Sequence, residues 1–219
     1  MKYLNILLLV ILTSFMFSCK ENVIDYSHYT EEYSIDDFDS TYVLSEIGDG
    51  GKRTVYLNIH CTASREGVDL KGEWFLNFFK NDRKWDKPGY NEIIELDGTR
   101  FVSVPYNLDG YTTWDEVSYG VKGYNSVSIN IAYVGGVDKY MKAKDTRTLA
   151  QKRVIDEIVE QVKCALPHVI VMGHRDHKGV KKACPSFPVQ TEYGKLNVLL
   201  NETEEFDYYP DDYAVDSLQ

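Results

Sequence analysis

The sequence predicts a single α/β domain with a central mixed β-sheet of about five strands flanked by helices. Short β-prone runs alternate with amphipathic stretches, and two of these runs flank an Asp97-Gly98 turn signal. One long helical pattern ends at Pro167. The chain has 219 residues, and once its two unusual ends are set aside, roughly 150 residues remain for a core, a length typical of one domain.

The first nineteen residues predict export and a lipid anchor. Lys2 precedes an apolar run over residues 4–17, which is too short to span a bilayer comfortably and is typical of a signal-peptide core. Residues 1–18 are followed by Cys19, an arrangement that resembles the cleavage site of a bacterial lipoprotein, in which the cysteine is lipidated. We therefore expect a membrane-anchored lipoprotein of the cell envelope, periplasmic or outer-membrane. An ordinary secretory signal is the alternative.

Charge divides the chain into a mildly basic body and acidic ends. The net charge is −10, yet residues 51–201 carry 22 Lys plus Arg against 18 acidic residues. We interpret 19–52 as an acidic tether, 53–200 as the folded domain and 201–219 as an acidic tail. Alternation over 41–47 leaves open that part of the tether packs on the domain as an edge strand. A mildly basic body suits an anionic polymer, and no nucleic-acid-binding motif is found.

The first half of the predicted domain contains a strand, a helix and a hairpin. Residues 55–59 are β-prone and are closed by His60. Residues 69–80 predict a short helix with a core-facing side, because large apolar side chains recur at spacings of three and four. Those side chains are Leu70, Trp74, Phe75, Phe78 and Phe79. Residues 92–96 and 100–104 flank the Asp97-Gly98 turn and predict a β-hairpin.

The second half contains a strand, the longest helix and a further strand. Residues 126–134 alternate with period two and stop at a glycine pair. Residues 145–166 predict a helix, with Thr148 and Gln151 as a capping box. Its buried stripe is Ile155, Ile158, Val159, Val162 and Leu166. The apolar run 168–172 predicts a buried strand that Gly173 ends.

Two of these predicted strands end in histidine. His60 closes one, His174 follows another, and Cys184 lies on the loop after His174. Zinc favours such a set of two nitrogens and one sulfur, and a catalytic zinc keeps its fourth position for water. The site requires the two strands to be neighbours in one sheet. The alternative treats His174 as a core histidine and Cys184 as a small buried apolar residue.

Four motifs occur in order: HCTA at 60–63, GYNEIIELDGT at 89–99, KGYNSVSINIAYVGG at 122–136, and GHRD with KACPSF within 173–187. Together they resemble the zinc-dependent N-acetylmuramoyl-L-alanine amidases of the phage-lysozyme type, relatives of the peptidoglycan recognition proteins. The resemblance covers roughly residues 53–200. It implies the amidase fold, a Zn²⁺ cofactor and peptidoglycan as the partner.

The resemblance also implies roles for individual residues. His60, His174 and Cys184 match the zinc ligands, and Tyr90 and Lys182 match the catalytic pair. Lys182 would present its ammonium to the developing oxyanion, while Tyr90 would hydrogen-bond the attacking water or relay a proton. The neighbouring Lys181 could take the role of Lys182 if the register shifts by one residue. His177 is a further histidine on the same loop.

Three features depart from the family pattern. Asn91 follows Tyr90 where the family commonly has histidine, and Gly120 falls where many members place a histidine lining the cleft. Cys184 lies ten positions after His174, which makes this loop slightly longer than in related amidases. These departures predict an altered grip on the substrate more than altered metal binding.

The predicted function is hydrolysis of the amide between the lactyl group of N-acetylmuramic acid and L-alanine. A noncatalytic peptidoglycan-binding lipoprotein is the first alternative. A cysteine hydrolase using Cys61 or Cys184 is the second, which the opposite faces of adjacent strand residues disfavour. An export compartment permits a disulfide, but we expect Cys61 and Cys164 to be buried thiols.

Overall fold

The computed structural model describes residues 51–197. The predicted signal peptide, Cys19, nearly all of the tether with its possible edge strand over 41–47, and the tail 201–219 lie outside the described residues. The strands are β1 Lys52–Arg53, β2 Tyr56–Cys61, β3 Ser64–Arg65, β4 Glu92–Ile94, β5 Arg100–Val102, β6 Tyr111–Thr112, β7 Ser128–Tyr133, β8 Gly136–Val137 and β9 Ile170–Gly173. The α-helices are α1 Gly72–Asn77, α2 Leu149–Ala165 and α3 Val189–Tyr193.

A five-stranded sheet forms the centre, in the order β5-β4-β7-β2-β9. Strands β4, β7, β2 and β9 run parallel, and β5 pairs antiparallel with β4 at one edge. The predicted hairpin is therefore confirmed, with Gly98 at φ +90° in the turn. The mixed sheet and the α/β class are confirmed as well.

Helix α2 covers one face of this sheet. It begins at Leu149 rather than at residue 145, because the predicted capping box forms: Thr148 Oγ1 accepts from the Gln151 N–H at 3.1 Å, and Gln151 Oε1 accepts from the Thr148 N–H at 3.0 Å. Gln151 Nε2 also donates to the carbonyls of Ile94 and Val134, both at 3.0 Å. The predicted stripe packs with sheet residues such as Leu57 and Ile131.

The opposite face of the sheet meets the aromatic segment around α1. Phe75 and Phe79 are buried against Ile93 and Val134. Helix α1 is shorter than predicted and continues as one π-helical turn over Phe78–Asp82. The prediction that Trp74 belongs to the core is wrong: it is 48% exposed and stacks on Phe78. It lies next to Phe75, about 100° around the helix, so it cannot share the inward face that Phe75 and Phe79 occupy.

Strand β7 shows why the period-two pattern was only partly informative. Its polar residues Ser128 and Asn130 alternate with isoleucines, as on a half-exposed strand, yet all six of its residues are buried. Both faces of a central parallel strand are covered, so its polar side chains must find partners inside the protein. Within residues 51–197, no helix combines the length and apolar character that a membrane crossing requires.

Candidate metal centre and cleft

The adjacency of β2 and β9 brings the two predicted histidines together. The strands pair in parallel with Ile59 opposite Gly173, so His60 and His174, each one residue further, lie side by side at the same end of the sheet. This meets the condition that the sequence set for a metal site. Both imidazoles are buried, and His60 has no solvent-exposed area.

Cys184 completes the group. His60 Nδ1 lies 3.1 Å from His174 Nδ1 and 3.8 Å from Cys184 Sγ, and the three ligand atoms all lie within 4.8 Å of one another. A tetrahedral zinc with bonds of about 2.0–2.3 Å sets its ligand atoms roughly 3.3–3.6 Å apart. The two separations from His60 Nδ1, 3.1 and 3.8 Å, are close to the edges of such a tetrahedron, and the donor set of two nitrogens and one sulfur fits a metal ion.

Contacts on either side hold Cys184 at this position. Its Sγ accepts a hydrogen bond from the Cys61 N–H at 3.2 Å, so strand β2 contacts both His174 and the cysteine. The following Pro185 is joined by a cis peptide bond, and its carbonyl accepts from the Tyr133 hydroxyl at 2.6 Å. The loop that carries the cysteine is therefore anchored to β2 and β7.

Burial sets the protonation of the three groups. It lowers the pKa of His60 well below its ordinary value, and it lowers the pKa of His174 to about 4, with the Lys182 charge acting in the same direction. Both imidazoles are therefore neutral at pH 7 and have a lone pair to offer. A side-chain hydrogen bond with the Cys61 thiol, together with burial, raises the pKa of the Cys184 thiol, and the Cys61 backbone N–H acts in the opposite direction. A metal ion must displace that proton when it binds.

Tyr90 and Lys182 lie beside this group. The Tyr90 ring centroid is 5.1 Å from that of His60, and its hydroxyl donates to the Cys61 carbonyl at 3.5 Å. Burial raises the pKa of Tyr90 far above 10, so the hydroxyl stays protonated. Lys182 is exposed, and its charge helps lower the pKa of His174. Lys181 lines the same cleft.

The cleft around these residues has a volume of about 1790 Å³. Aromatic and cationic side chains line its walls, together with Asp82 and Asp86. The aromatic and cationic residues include Trp74, Phe78, Arg83, Lys84, Trp85, Trp114 and Lys122. Arg83 lies over the rings of Phe78 and Trp85, at 5.4 and 5.7 Å from their centroids. A cleft of this size, with a cationic and aromatic lining, can admit a segment of an anionic polymer.

Comparison with known proteins identifies the family. Residues 50–187 match the family described as N-acetylmuramoyl-L-alanine amidase. The chain belongs to this amidase family. Among its relatives, the amidase is 30% identical over 132 residues to an endolysin of Enterobacteria phage K11, covering 60% of this chain and 80% of that protein. It is 27% identical over 151 residues to an endolysin of Klebsiella phage KP32, covering 69% of this chain and 93% of that protein.

The fold has a counterpart among solved structures. The Ph2119 endolysin from Thermus scotoductus MAT2119 bacteriophage Ph2119 superposes with a TM-score of 0.52 at 20% identity, over 67% of this chain and 86% of that chain. This likeness shows the shared fold. Family membership makes the chain an N-acetylmuramoyl-L-alanine amidase, an enzyme of peptidoglycan, as the four motifs predicted.

His177 does not join the metal group of the amidase. It is buried, and its Nε2 donates to Asn58 Oδ1 at 2.7 Å, with its ring against Tyr56 and Tyr124. Cys61 is a buried free thiol, as predicted. The prediction of a free thiol is wrong for Cys164, which is not among the free cysteines of residues 51–197.

Sequence reasoning missed two buried amides near the centre, Asn58 and Asn130. Asn130 Oδ1 lies 3.2 Å from His60 Nε2 and accepts from Asn58 Nδ2 at 3.0 Å. Each asparagine stands in the middle of an apolar strand, where an unpaired amide would be costly. That position was the available signal, because a buried polar side chain in a strand indicates a specific partner.

Proposed function

We propose that the amidase is zinc-dependent and hydrolyses the amide between the lactyl group of N-acetylmuramic acid and L-alanine in peptidoglycan. The observation that carries the proposal is the spacing of His60 Nδ1, His174 Nδ1 and Cys184 Sγ at the cleft. The endolysin relatives support a cell-wall substrate. The cationic and aromatic walls of the cleft suit an anionic glycopeptide.

His60, His174 and Cys184 would hold the zinc. Two neutral imidazoles and one thiolate leave the ion with a net charge near +1, and three protein ligands leave one position open. When bound, zinc supplies an electrophile that polarises the scissile carbonyl and lowers the pKa of a water molecule.

Tyr90 and Lys182 would supply the remaining catalytic groups. The ammonium of Lys182, on the exposed rim beside His174, would stabilise the negative charge that develops on the carbonyl oxygen. Tyr90 keeps its proton at neutral pH, so its hydroxyl can donate to the attacking water or relay a proton towards the departing amine of L-alanine. Its present hydrogen bond to the Cys61 carbonyl is long, at 3.5 Å, and is therefore easily exchanged for one to substrate.

The test is digestion of purified muropeptides by zinc-loaded enzyme, with free stem peptide detected by mass spectrometry. We expect stem-peptide release that stops after chelation and returns with added zinc. Lys182→Met should lower kcat by about 10²–10³-fold, the loss typical of a missing oxyanion-stabilising group. Lys181→Met is the matched control and should leave kcat nearly unchanged. A larger loss in Lys181→Met would transfer the role to that residue.

Two results would replace this proposal. Zinc-loaded protein that binds sacculi without releasing peptide is a noncatalytic binding lipoprotein. Activity that survives chelation but is lost on thiol alkylation indicates a cysteine hydrolase, with Cys61 and Cys184 as the candidate thiols.

We also propose that the mature protein is a lipoprotein anchored through Cys19, on the sequence evidence of an apolar run over residues 4–17 followed by this cysteine. A lipid anchor adds the mass of the acyl chains to the protein and retains it in the membrane fraction. Intact-mass spectrometry of membrane-extracted protein should detect this addition. Release of an unmodified chain that begins elsewhere would indicate an ordinary secretory signal.

A further inference from the structure

A chain of hydrogen bonds leads from Asn91 to the metal centre, and its direction is set at its far end. Asn91 Nδ2 donates to the carbonyl of Glu116 at 2.7 Å and to that of Val104 at 3.4 Å. Carbonyl oxygens only accept, so the amino group of Asn91 must point at them. Asn91 Oδ1, an acceptor, is therefore the atom that faces Ser118 and Asn130.

The next two bonds carry this orientation forward. The Ser118 hydroxyl donates to Asn91 Oδ1 at 2.8 Å, and the backbone N–H of Asn130 donates to the same oxygen at 2.8 Å. Having used its proton, the Ser118 oxygen accepts from Asn130 Nδ2 at 3.0 Å. With its amino group turned to Ser118, Asn130 presents Oδ1 to the His60 ring.

Asn130 Oδ1 can only accept, and it lies 3.2 Å from His60 Nε2. The proton of the neutral imidazole must therefore be on Nε2, which leaves the lone pair on Nδ1. Nδ1 is the atom that faces His174 and Cys184. These side chains have no measurable exposure, so water does not compete for the bonds: Asn58, His60, Asn91, Ser118 and Asn130.

We propose that Asn91, Ser118 and Asn130 form a directional relay that holds His60 in the Nε2-protonated tautomer, with Nδ1 free to bind metal. The three are positioning residues for the amidase, and the inference rests on the proposed role of His60 as a ligand. A second hydrogen bond to a metal-binding histidine fixes both its tautomer and its ring orientation.

The absence of a side chain at Gly120 leaves room for this relay. A Cβ built at residue 120 would lie 2.3 Å from Asn130 Oδ1 and 2.4 Å from its Cγ. The amide of Asn130 therefore fills the space into which a side chain at residue 120 would project. Two departures from the family pattern, Asn91 and Gly120, thus have one explanation: the first orients the relay and the second leaves room for it.

The experiment compares Asn130→Leu with Asn130→Asp in the full chain. The two replacements are similar in size, but only aspartate keeps an acceptor for His60. We measure zinc affinity by competition with a chromophoric chelator. Asn130→Leu should weaken zinc binding by about 10–100-fold, as is typical when the hydrogen-bond partner of a ligand is lost, whereas Asn130→Asp should restore most of the affinity. Ser128→Ala is the matched control, because Ser128 is buried on the same strand and donates only to the Tyr124 carbonyl.

Long-range ¹H–¹⁵N NMR of the metal-free protein provides a readout that needs neither metal nor turnover. Wild type should show His60 protonated at Nε2 alone. Ser118→Ala, which does not touch His60, should admit a measurable fraction of the Nδ1-protonated tautomer. The Asn130 amide loses its acceptor at 3.0 Å and is then held only by Asn58 Nδ2 and by the more distant Ser118 carbonyl at 3.5 Å.

The outcomes separate the relay from the proposed function. If the wild-type chain binds no zinc at this site, the assignment of His60 as a ligand is overturned. The tautomer measurement then tests the relay by itself. If Asn130→Leu binds zinc as tightly as wild type and Ser128→Ala do, the relay is overturned and the proposed function stands. Should Asn130→Leu fail to fold, Ser118→Ala decides, and an unchanged His60 tautomer there also overturns the relay.

Discussion

Arg147 is the residue whose removal tests how the cysteine loop is secured. Its side chain is only 1% exposed. It donates to both oxygens of Asp145 at 2.9 Å and to those of Glu192 at 3.0 and 2.7 Å, and its guanidinium carbon lies 3.3 Å from the centroid of Phe187. Phe187 is three residues from Cys184, so this cluster ties the cysteine loop to the segment before α2.

The cost of Arg147→Met can be worked out from these contacts. Breaking a buried ion pair costs about 3–5 kcal/mol when the partner is left without water. Here Asp145 and Glu192 are 31% and 38% exposed, so water can solvate them after the change and the cost falls to roughly 2 kcal/mol. The lost contact with Phe187 adds about 1–2 kcal/mol. We expect a total of about 3–4 kcal/mol.

The assay is urea unfolding at pH 7 with zinc present, followed by circular dichroism. Lys144→Met is the control, because Lys144 pairs with Glu66 at 2.8 Å while both side chains are about half exposed, 50% and 49%. That surface pair should be worth less than about 1 kcal/mol. Equal losses in the two variants would refute the reasoning, since they would mean that burial of the Arg147 cluster adds nothing.

Three further predictions concern single buried groups. Burial lowers the pKa of His177 to about 4; an unfolded histidine titrates near 6.5, so stability is complete above pH 6.5 and lost as pH falls towards 4. Between pH 6.5 and pH 4, the free energy of unfolding of His177→Gln, measured in urea with chelator, should fall by about 2–3 kcal/mol less than that of wild type. Parallel pH profiles of the two proteins would contradict this. Gly120→Ala should lower the free energy of unfolding by about 1–3 kcal/mol because its methyl group meets Asn130, while Gly51→Ala, with contacts of 3.4 Å or more, should be nearly neutral. Gln151→Leu should cost about 2–3 kcal/mol, since it removes the side-chain bonds to the Thr148 N–H and to the carbonyls of Ile94 and Val134, of which the Ile94 carbonyl keeps the Val134 N–H as a donor; thermal unfolding no different from wild type would refute this reasoning.

Local patterns predicted the elements well where neighbours in sequence decide the structure. The capping box at Thr148 and the turn at Asp97-Gly98 depend on residues two to four positions apart, so both could be predicted. Trp74 could not be placed, because spacings of three and four admit more aromatic residues than one helical face can bury. The exposure of Trp74 depends on where the sheet lies against α1.

The candidate site was predictable as a set of residues but not as a geometry. His60 and His174 stood out because each follows a β-prone run, and the family motifs added Cys184, Tyr90 and Lys182. Their grouping depends on β9 pairing with β2, a contact across 114 positions that no local spacing encodes. The buried asparagines illustrate the same limit, since the alternation in β7 is equally typical of a half-exposed strand.

By itself, the sequence determined the α/β class, the hairpin, the cap of the long helix and the identity of the donor atoms. Those properties follow from backbone preferences and from chemistry that each residue carries wherever it lies. Only the tertiary structure decided that three donors lie within 4.8 Å of one another and that Asn130 faces His60. Both depend on strand order, which is set by the packing of the whole sheet.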